Sequence, residues 1–169
     1  EETLDQAYQQ LRDETANELL YLVKSNTPEF FEKLVVHLIV SMGYGGSVKE
    51  AGRATRKTAD EGIDGVIKED RLGLETIYLQ AKRWEAVVGR PEIQKFVGAL
   101  HGQRAKKGVF ITTSRFSKEA LDYVGQIDPK VVLIDGADLV QLMIDHGVGV
   151  SSAAIYEVKK VDTDFFIED

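Results

Sequence analysis

Two short, almost wholly apolar runs, Val109–Thr112 and Val131–Ile134, constrain this chain more than any other feature. A strand with no polar alternation must be covered on both faces, which calls for helices on either side of a sheet. The sequence supplies them. Ser117 is placed to cap a helix after the first run, and Ala137–Asp145, closing at Gly147, follows the second. Upstream, Ile63–Lys68 and Thr76–Lys82 read as extended segments joined by the turn-like Glu69-Asp70-Arg71-Leu72-Gly73. That hairpin forces antiparallel pairing, so an all-parallel doubly wound sheet is disfavoured and an α/β sandwich with a central mixed β-sheet is expected.

The remaining segments fit around that sheet. Leu4, Tyr8, Leu11, Leu19 and Leu22 recur among acids and predict a long, exposed N-terminal helix, Leu4–Lys24, with one apolar stripe. Thr27 and Pro28 restart the chain as N-cap and first helical residue. The helix they open buries Phe30, Phe31, Leu34, Val35, Leu38 and Ile39 and ends near Met42–Gly43. A short strand is expected around Val48, a polar loop from Arg53 to Asp60, a helix from Pro91 to His101, and one or two edge strands within Ala154–Ile167. The organisation expected is a helix or linker over 1–26, a core domain over 27–150, and a C-terminal tail of edge strands over 151–169.

Composition sets limits on function. With 169 residues, 43% apolar, one Trp, 6 Tyr and 7 Phe, the chain can bury the core of one domain. It contains no Cys, which removes thiolate zinc sites, disulfides and cysteine nucleophiles and fits a reducing, cytoplasmic setting. No apolar run approaches the ~20 residues of a membrane span, and no secretory leader is evident, so no membrane partner is expected. Net charge is −7, which taken alone argues against nucleic acid. Its distribution argues the other way. Residues 1–32 and 131–169 each carry two basic and eight acidic residues, whereas 80–107 carries seven basic and two acidic ones. That middle stretch holds Lys82, Arg83, Arg90, Lys95, Arg104, Lys106 and Lys107, and Arg53, Arg56 and Lys57 form a smaller cluster upstream.

The chemistry concentrates in the hairpin. Gln80 and Lys82, two apart on a strand, point to one face, with Leu79 and Ala81 on the other. Asp64 opens the partner strand within reach of that polar face. A carboxylate, an amide and an amine then converge, which is what metal-assisted phosphodiester hydrolysis requires: an anionic oxygen for Mg²⁺, further oxygens, and a cation to orient water and offset developing charge. From spacing alone, a turn Asp beside an exposed polar strand face reads equally well. Other apparent motifs fail. Gly52-Arg53-Ala54-Thr55-Arg56-Lys57-Thr58 lacks the glycine of a phosphate loop, so no nucleotide cofactor is expected. His37, His101 and His146 have no metal-ligand spacing.

Five segments, Gly62-Ile63-Asp64-Gly65, Gln80-Ala81-Lys82-Arg83-Trp84, Val88-Gly89-Arg90-Pro91-Glu92-Ile93-Gln94, Gly108-Val109-Phe110-Ile111-Thr112-Thr113-Ser114 and Leu133-Ile134-Asp135-Gly136, occur in order over roughly residues 28–150. Together they resemble the catalytic domain of Mrr-type restriction endonucleases. The resemblance implies a restriction-endonuclease-like fold of the PD-(D/E)xK class, in the branch that carries Gln at the acid position. It also implies a type IV activity on methylated double-stranded DNA, Mg²⁺ with Mn²⁺ as substitute, and an N-terminal winged-helix reader domain to which residues 1–26 would lead.

Carried over residue by residue, the class motif falls on Asp64, Gln80 and Lys82 as the catalytic set, and the acid often supplied by the first core helix falls on Glu32. Asp64, Glu32, Gln80 and the Ala81 carbonyl are then the expected metal site. Glu32 also reads as an acid favoured by its helix dipole. Arg53, Arg56, Lys57, Arg83, Arg90, Lys106 and Lys107 are candidates to neutralise DNA phosphates. Gln94 reads either as a contact to the metal-bound water or a phosphate, or as an exposed helix Gln. Thr55-Arg56-Lys57-Thr58 is basic where relatives have a glycine-rich lead into the motif. A homodimer is expected, since one site cuts one strand. The rival readings are a repair or junction nuclease of the same fold and a metal-free nucleic-acid-binding module.

Overall fold

The computed structural model describes residues 3–46, 50 and 62–167. The first helix, α1 (Leu4–Ser25), begins in a capping box: the Gln6 backbone N–H donates to Thr3 Oγ1 and the Thr3 N–H donates to Gln6 Oε1. Thr27 caps α2 (Pro28–Ser41) by accepting from the Phe30 N–H at 3.1 Å, and the chain leaves it through Gly43 at a positive φ of 102°.

The expected hairpin follows as β1 (Gly65–Lys68) and β2 (Thr76–Lys82), antiparallel with Gly65 opposite Leu79. Asp70 fixes its connection. One oxygen of its carboxylate accepts from the Leu72 N–H and the other from the Glu75 N–H, both at 2.8 Å, and these bonds hold the carboxyl below its ordinary pKa. A side chain that binds its own turn in this way pins the register of the strands it joins.

Next come α3 (Arg90–Gly102), β3 (Lys107–Thr112), α4 (Lys118–Val124, capped by Ser117), β4 (Lys130–Ile134) and α5 (Gly136–Asp145, capped by Asp135). The strand order is β1-β2-β3-β4, with β2, β3 and β4 parallel. The mixed sheet expected from the two apolar runs and the early hairpin is therefore present.

Strand alternation sorts the core into two layers. On one face Ile67, Leu79, Ile111 and Ile134 pack with Phe31, Val35 and Leu38 of α2, Leu19 and Val23 of α1, and Leu139 and Met143 of α5. On the other, Phe110 and Val131 pack with Ile93, Phe96, Val97 and Leu100 of α3 and Ala120 of α4. Close approach is enforced at two glycines. A Cβ on Gly108 would lie 2.9 Å from Phe96 and Leu100, and one on Gly136 would lie 2.3 Å from the Thr113 carbonyl oxygen.

Two expectations change. The apolar stripe of α1 is not one surface: Leu19 is buried, while Leu4, Tyr8, Leu11 and Leu22 are exposed. The face that packs instead is Ala16, Leu19, Leu20 and Val23, at the i, i+3, i+4, i+7 spacing of a helix lying on one neighbour. Ala154–Ile167 contributes no strand. The chain leaves the core through Val148 and Val150, packed in the same layer as α1 and α5, and runs exposed to a single 3₁₀ turn, Thr163–Phe166. The strand expected around Val48 and the loop from Arg53 to Asp60 lie outside the described residues.

Candidate active site

The site is built where β1 begins and β2 ends. Gly62 adopts a left-handed φ of 85°, Ile63 is buried beneath it, and the Asp64 N–H donates to the Leu79 carbonyl at 2.8 Å. Continuing the hairpin register by one residue sets Asp64 opposite Gln80 on the same face of the sheet. There Asp64 Oδ2 accepts from Gln80 Nε2 at 2.9 Å and from the Ala81 N–H at 2.7 Å. N–H and C=O of one strand residue project to the same side, so the Ala81 carbonyl is directed toward β1 as its N–H is. Gln80 is itself buried, and its amide oxygen is the nearest atom to the position a Cβ would take on Gly62, 3.5 Å away. Gln80 thus meets Asp64 through its amide nitrogen.

Lys82 lies two residues further along the same face. Its carbonyl is fixed by Thr112 Oγ1 at 2.8 Å, and its ammonium sits 5.5 Å from the centre of the Trp84 ring, a favourable placement of a cation against an aromatic face. Burial raises the Asp64 carboxyl above its ordinary pKa, opposed by the Ala81 N–H, the Lys82 charge and the Gln80 amide. Glu32, exposed in the second turn of α2, joins the same electrostatic neighbourhood. Partial desolvation raises its pKa first, then the negative charges of Asp64 and Glu29, while Lys82 lowers it.

Two carboxyl groups that resist ionising near each other present hard oxygens whose charge a divalent cation would relieve. Among the described residues no three acidic or His side chains form a metal cluster by themselves. A cation here would therefore rely also on main-chain oxygen, water and substrate, as Mg²⁺ commonly does. The residues fit a hard, partly hydrated divalent ion.

A cleft of about 310 Å³ opens beside this face, lined by Gly62, Gln80, Lys82, Glu92, Lys95, Phe96 and Phe110. Its α3 wall was missed in the sequence. Glu92 looks there like an ordinary first-turn acid, and Lys95 is one of seven cations in the basic stretch. Their i, i+3 spacing, on a face that Gln94 does not share, was the available signal.

The cations chosen for DNA are dispersed. Arg53, Arg56 and Lys57 lie outside the described residues. Arg83, next to Lys82 and so directed to the opposite face, donates to the Lys24 carbonyl at the end of α1 at 3.0 Å. Lys107 pairs with Glu69 and Glu75, which flank the hairpin turn, and these acids raise its pKa. It stands at the start of β3, whereas Lys82 pairs with Thr112 at the end. Arg83 and Lys107 are thus both engaged by protein oxygens away from the cleft. Lys106 is exposed at that same far end of β3. Arg90 lies 4.8 Å over the Tyr123 ring at the start of α3, and Gln94 is exposed on α3.

The chain is similar to known proteins in sequence and fold. The type IV methyl-directed restriction enzyme EcoKMrr of Escherichia coli (strain K12) is 49% identical over 166 residues, covering 98% of this chain and 54% of that enzyme. The chain thus spans about half the length of that relative. Two solved structures share the fold. The DNA modification-dependent restriction endonuclease AspBHI matches with a TM-score of 0.60 at 21% identity, over 79% of this chain and 36% of its own. The MspJI restriction endonuclease, solved in complex with a 27-mer oligonucleotide, matches with a TM-score of 0.58 at 23% identity, over 78% of this chain and 31% of its own. The Mrr_cat restriction endonuclease model matches residues 23–143, and the chain belongs to that family.

Proposed function

We propose that this chain is the catalytic part of a metal-dependent endonuclease that hydrolyses phosphodiester bonds in methylated double-stranded DNA. The observation that carries the reading is Asp64 set opposite Gln80 on the hairpin, with Lys82 two residues on along the same face. Asp64, Glu32 and the Ala81 carbonyl would hold Mg²⁺, or Mn²⁺ in its place, and the ion would acidify a bound water and stabilise charge on the phosphate. Gln80 and the Ala81 N–H hold Asp64 Oδ2, which leaves Oδ1 for the ion. Lys82 orients the attacking water and offsets negative charge as the P–O3′ bond breaks, leaving a 5′-phosphate.

Residues 27–150 make up the nuclease unit in this reading, and α1 leads to a winged-helix reader. A double-strand break then calls for two sites, and a homodimer supplies them. The exposed Leu4, Tyr8, Leu11 and Leu22 on α1 are the surface offered for that contact. A chain that sediments as a monomer at high concentration would remove the dimer. The activity itself is tested with plasmid, methylated and unmethylated, with Mg²⁺ present or withheld. Cleavage that requires Mg²⁺ is expected, confined to methylated plasmid where the reader is joined to the chain, and no cleavage under any condition would oppose the reading.

A further inference from the structure

Glu92 and Lys95 stand on the α3 wall of the cleft, across from Gln80 and Lys82, and Lys95 Nζ lies 3.0 Å from Glu92 Oε1. The two are unequally exposed. The Lys95 side chain is 74% accessible and the Glu92 side chain 25%, so the ammonium reaches in from solvent toward a carboxylate that belongs to the cleft. Exposed ion pairs of this spacing are weak. An acid is also out of place in a groove that must accept a polyanion. What it offers Lys95 is one negative charge spread over two oxygens, the same as the non-bridging oxygens of a phosphodiester.

We propose that Glu92 stands in for a substrate phosphate. On this account Lys95 is a phosphate-positioning residue held in reserve, and DNA must displace the Glu92 carboxylate to engage it. The inference rests on the nuclease reading and adds to it a positioning residue and an internal competitor for that residue. Lys95 and Lys82 then grip the backbone from opposite walls of the cleft, and Glu92 sets a threshold against weakly bound anions.

The test is binding of a fluorescein-labelled duplex to the full chain in EDTA, followed by anisotropy as salt is varied. Lys95→Ala should weaken binding and flatten the log–log salt slope by about 0.9, the value for one lost phosphate contact. Glu92→Gln should tighten binding by roughly three- to tenfold, the scale of removing one competing charge. That gain should largely vanish in the Lys95→Ala background, because the competitor then has nothing to compete for. Lys130→Ala, which removes an equal charge at the start of β4, should leave affinity unchanged.

If Glu92→Gln tightens binding equally in both backgrounds, Glu92 acts by general repulsion and the inference is overturned. If Lys130→Ala weakens binding as much as Lys95→Ala, the effect is net charge and the outcome is the same. A Glu92→Gln variant that loses Mg²⁺ affinity in calorimetry without gaining DNA affinity would make Glu92 a metal-holding acid instead. If the unaltered chain binds no duplex at all, the nuclease reading falls together with this one.

Discussion

The Gln80 side-chain amide donates to Asp64 Oδ2 across the hairpin at 2.9 Å, so a neutral side chain holds the neighbouring acid in place. A neutral donor there favours the charged form of Asp64 against the larger cost of its burial, where a second carboxylate would be repelled.

Gln80→Glu should reverse that relation. A second anionic oxygen beside Asp64 is expected to tighten Mg²⁺ binding several-fold by calorimetry and to lower the thermal midpoint in EDTA by a few degrees, since roughly 1 kcal/mol shifts a domain of this size by ~2–4 °C. Gln80→Ala should need more metal than the unaltered chain. An unmoved Mg²⁺ dependence in both variants would place Gln80 away from the ion.

Lys82→Ala should reduce cleavage by about 10²–10⁴, the range for losing a positioned charge or proton-transfer group, with duplex binding weakened by no more than one lost phosphate contact. Wild-type turnover in this variant would sink the proposed role of the lysine.

The pH dependence follows from the raised carboxyls. Asp64 and Glu32 have higher pKa values in the folded chain than unfolded, so the folded state binds protons more readily. Without metal, stability should therefore fall as pH rises through the interval from their ordinary to their raised values. Asp64→Asn removes the larger burial cost and should flatten that fall, measured as thermal midpoint against pH in EDTA. Mg²⁺ should restore stability at neutral pH and do so progressively less below the raised values, where the ligands are protonated. Identical pH profiles for Asp64→Asn and the unaltered chain would contradict this.

Gly136→Ala tests the scaffold. The added methyl would meet the Thr113 carbonyl oxygen at 2.3 Å, where α5 starts against the end of β3, and backbone there cannot yield as a side-chain tip would. Chemical denaturation should show a loss of about 2–3 kcal/mol, the scale of overpacking in a close-packed interior.

The polar face of the hairpin was legible in the sequence because strand geometry alone decides it: residues two apart share a face, and a turn-binding residue such as Asp70 fixes which residues stand opposite. The caps Thr27 and Ser117 were legible for the same local reason, whereas Asp135 entered only as part of a family motif and its capping of α5 came from the structure. What failed depended on tertiary partners. Ile155, Tyr156, Val158 and Val161 have the composition of a strand, yet a strand also needs an edge to pair with, and the chain leaves the core in the layer of α1 and α5. The ion pairs of Lys107 were hidden in the same way, because Glu69 and Glu75 come back to it only through the hairpin. Glu92 was hidden for the opposite reason: helix dipoles favour an acid at that position whether or not a cleft lies beside it.

The most direct test of the central claim is cleavage of methylated plasmid by the unaltered chain and by Asp64→Asn, assayed side by side in Mg²⁺ at equal duplex occupancy. The account predicts nicked or linear product from the unaltered chain and none from Asp64→Asn, although both bind the DNA. Equal cleavage by the two would show that the phosphodiester bond is broken somewhere other than the Asp64–Gln80–Lys82 face.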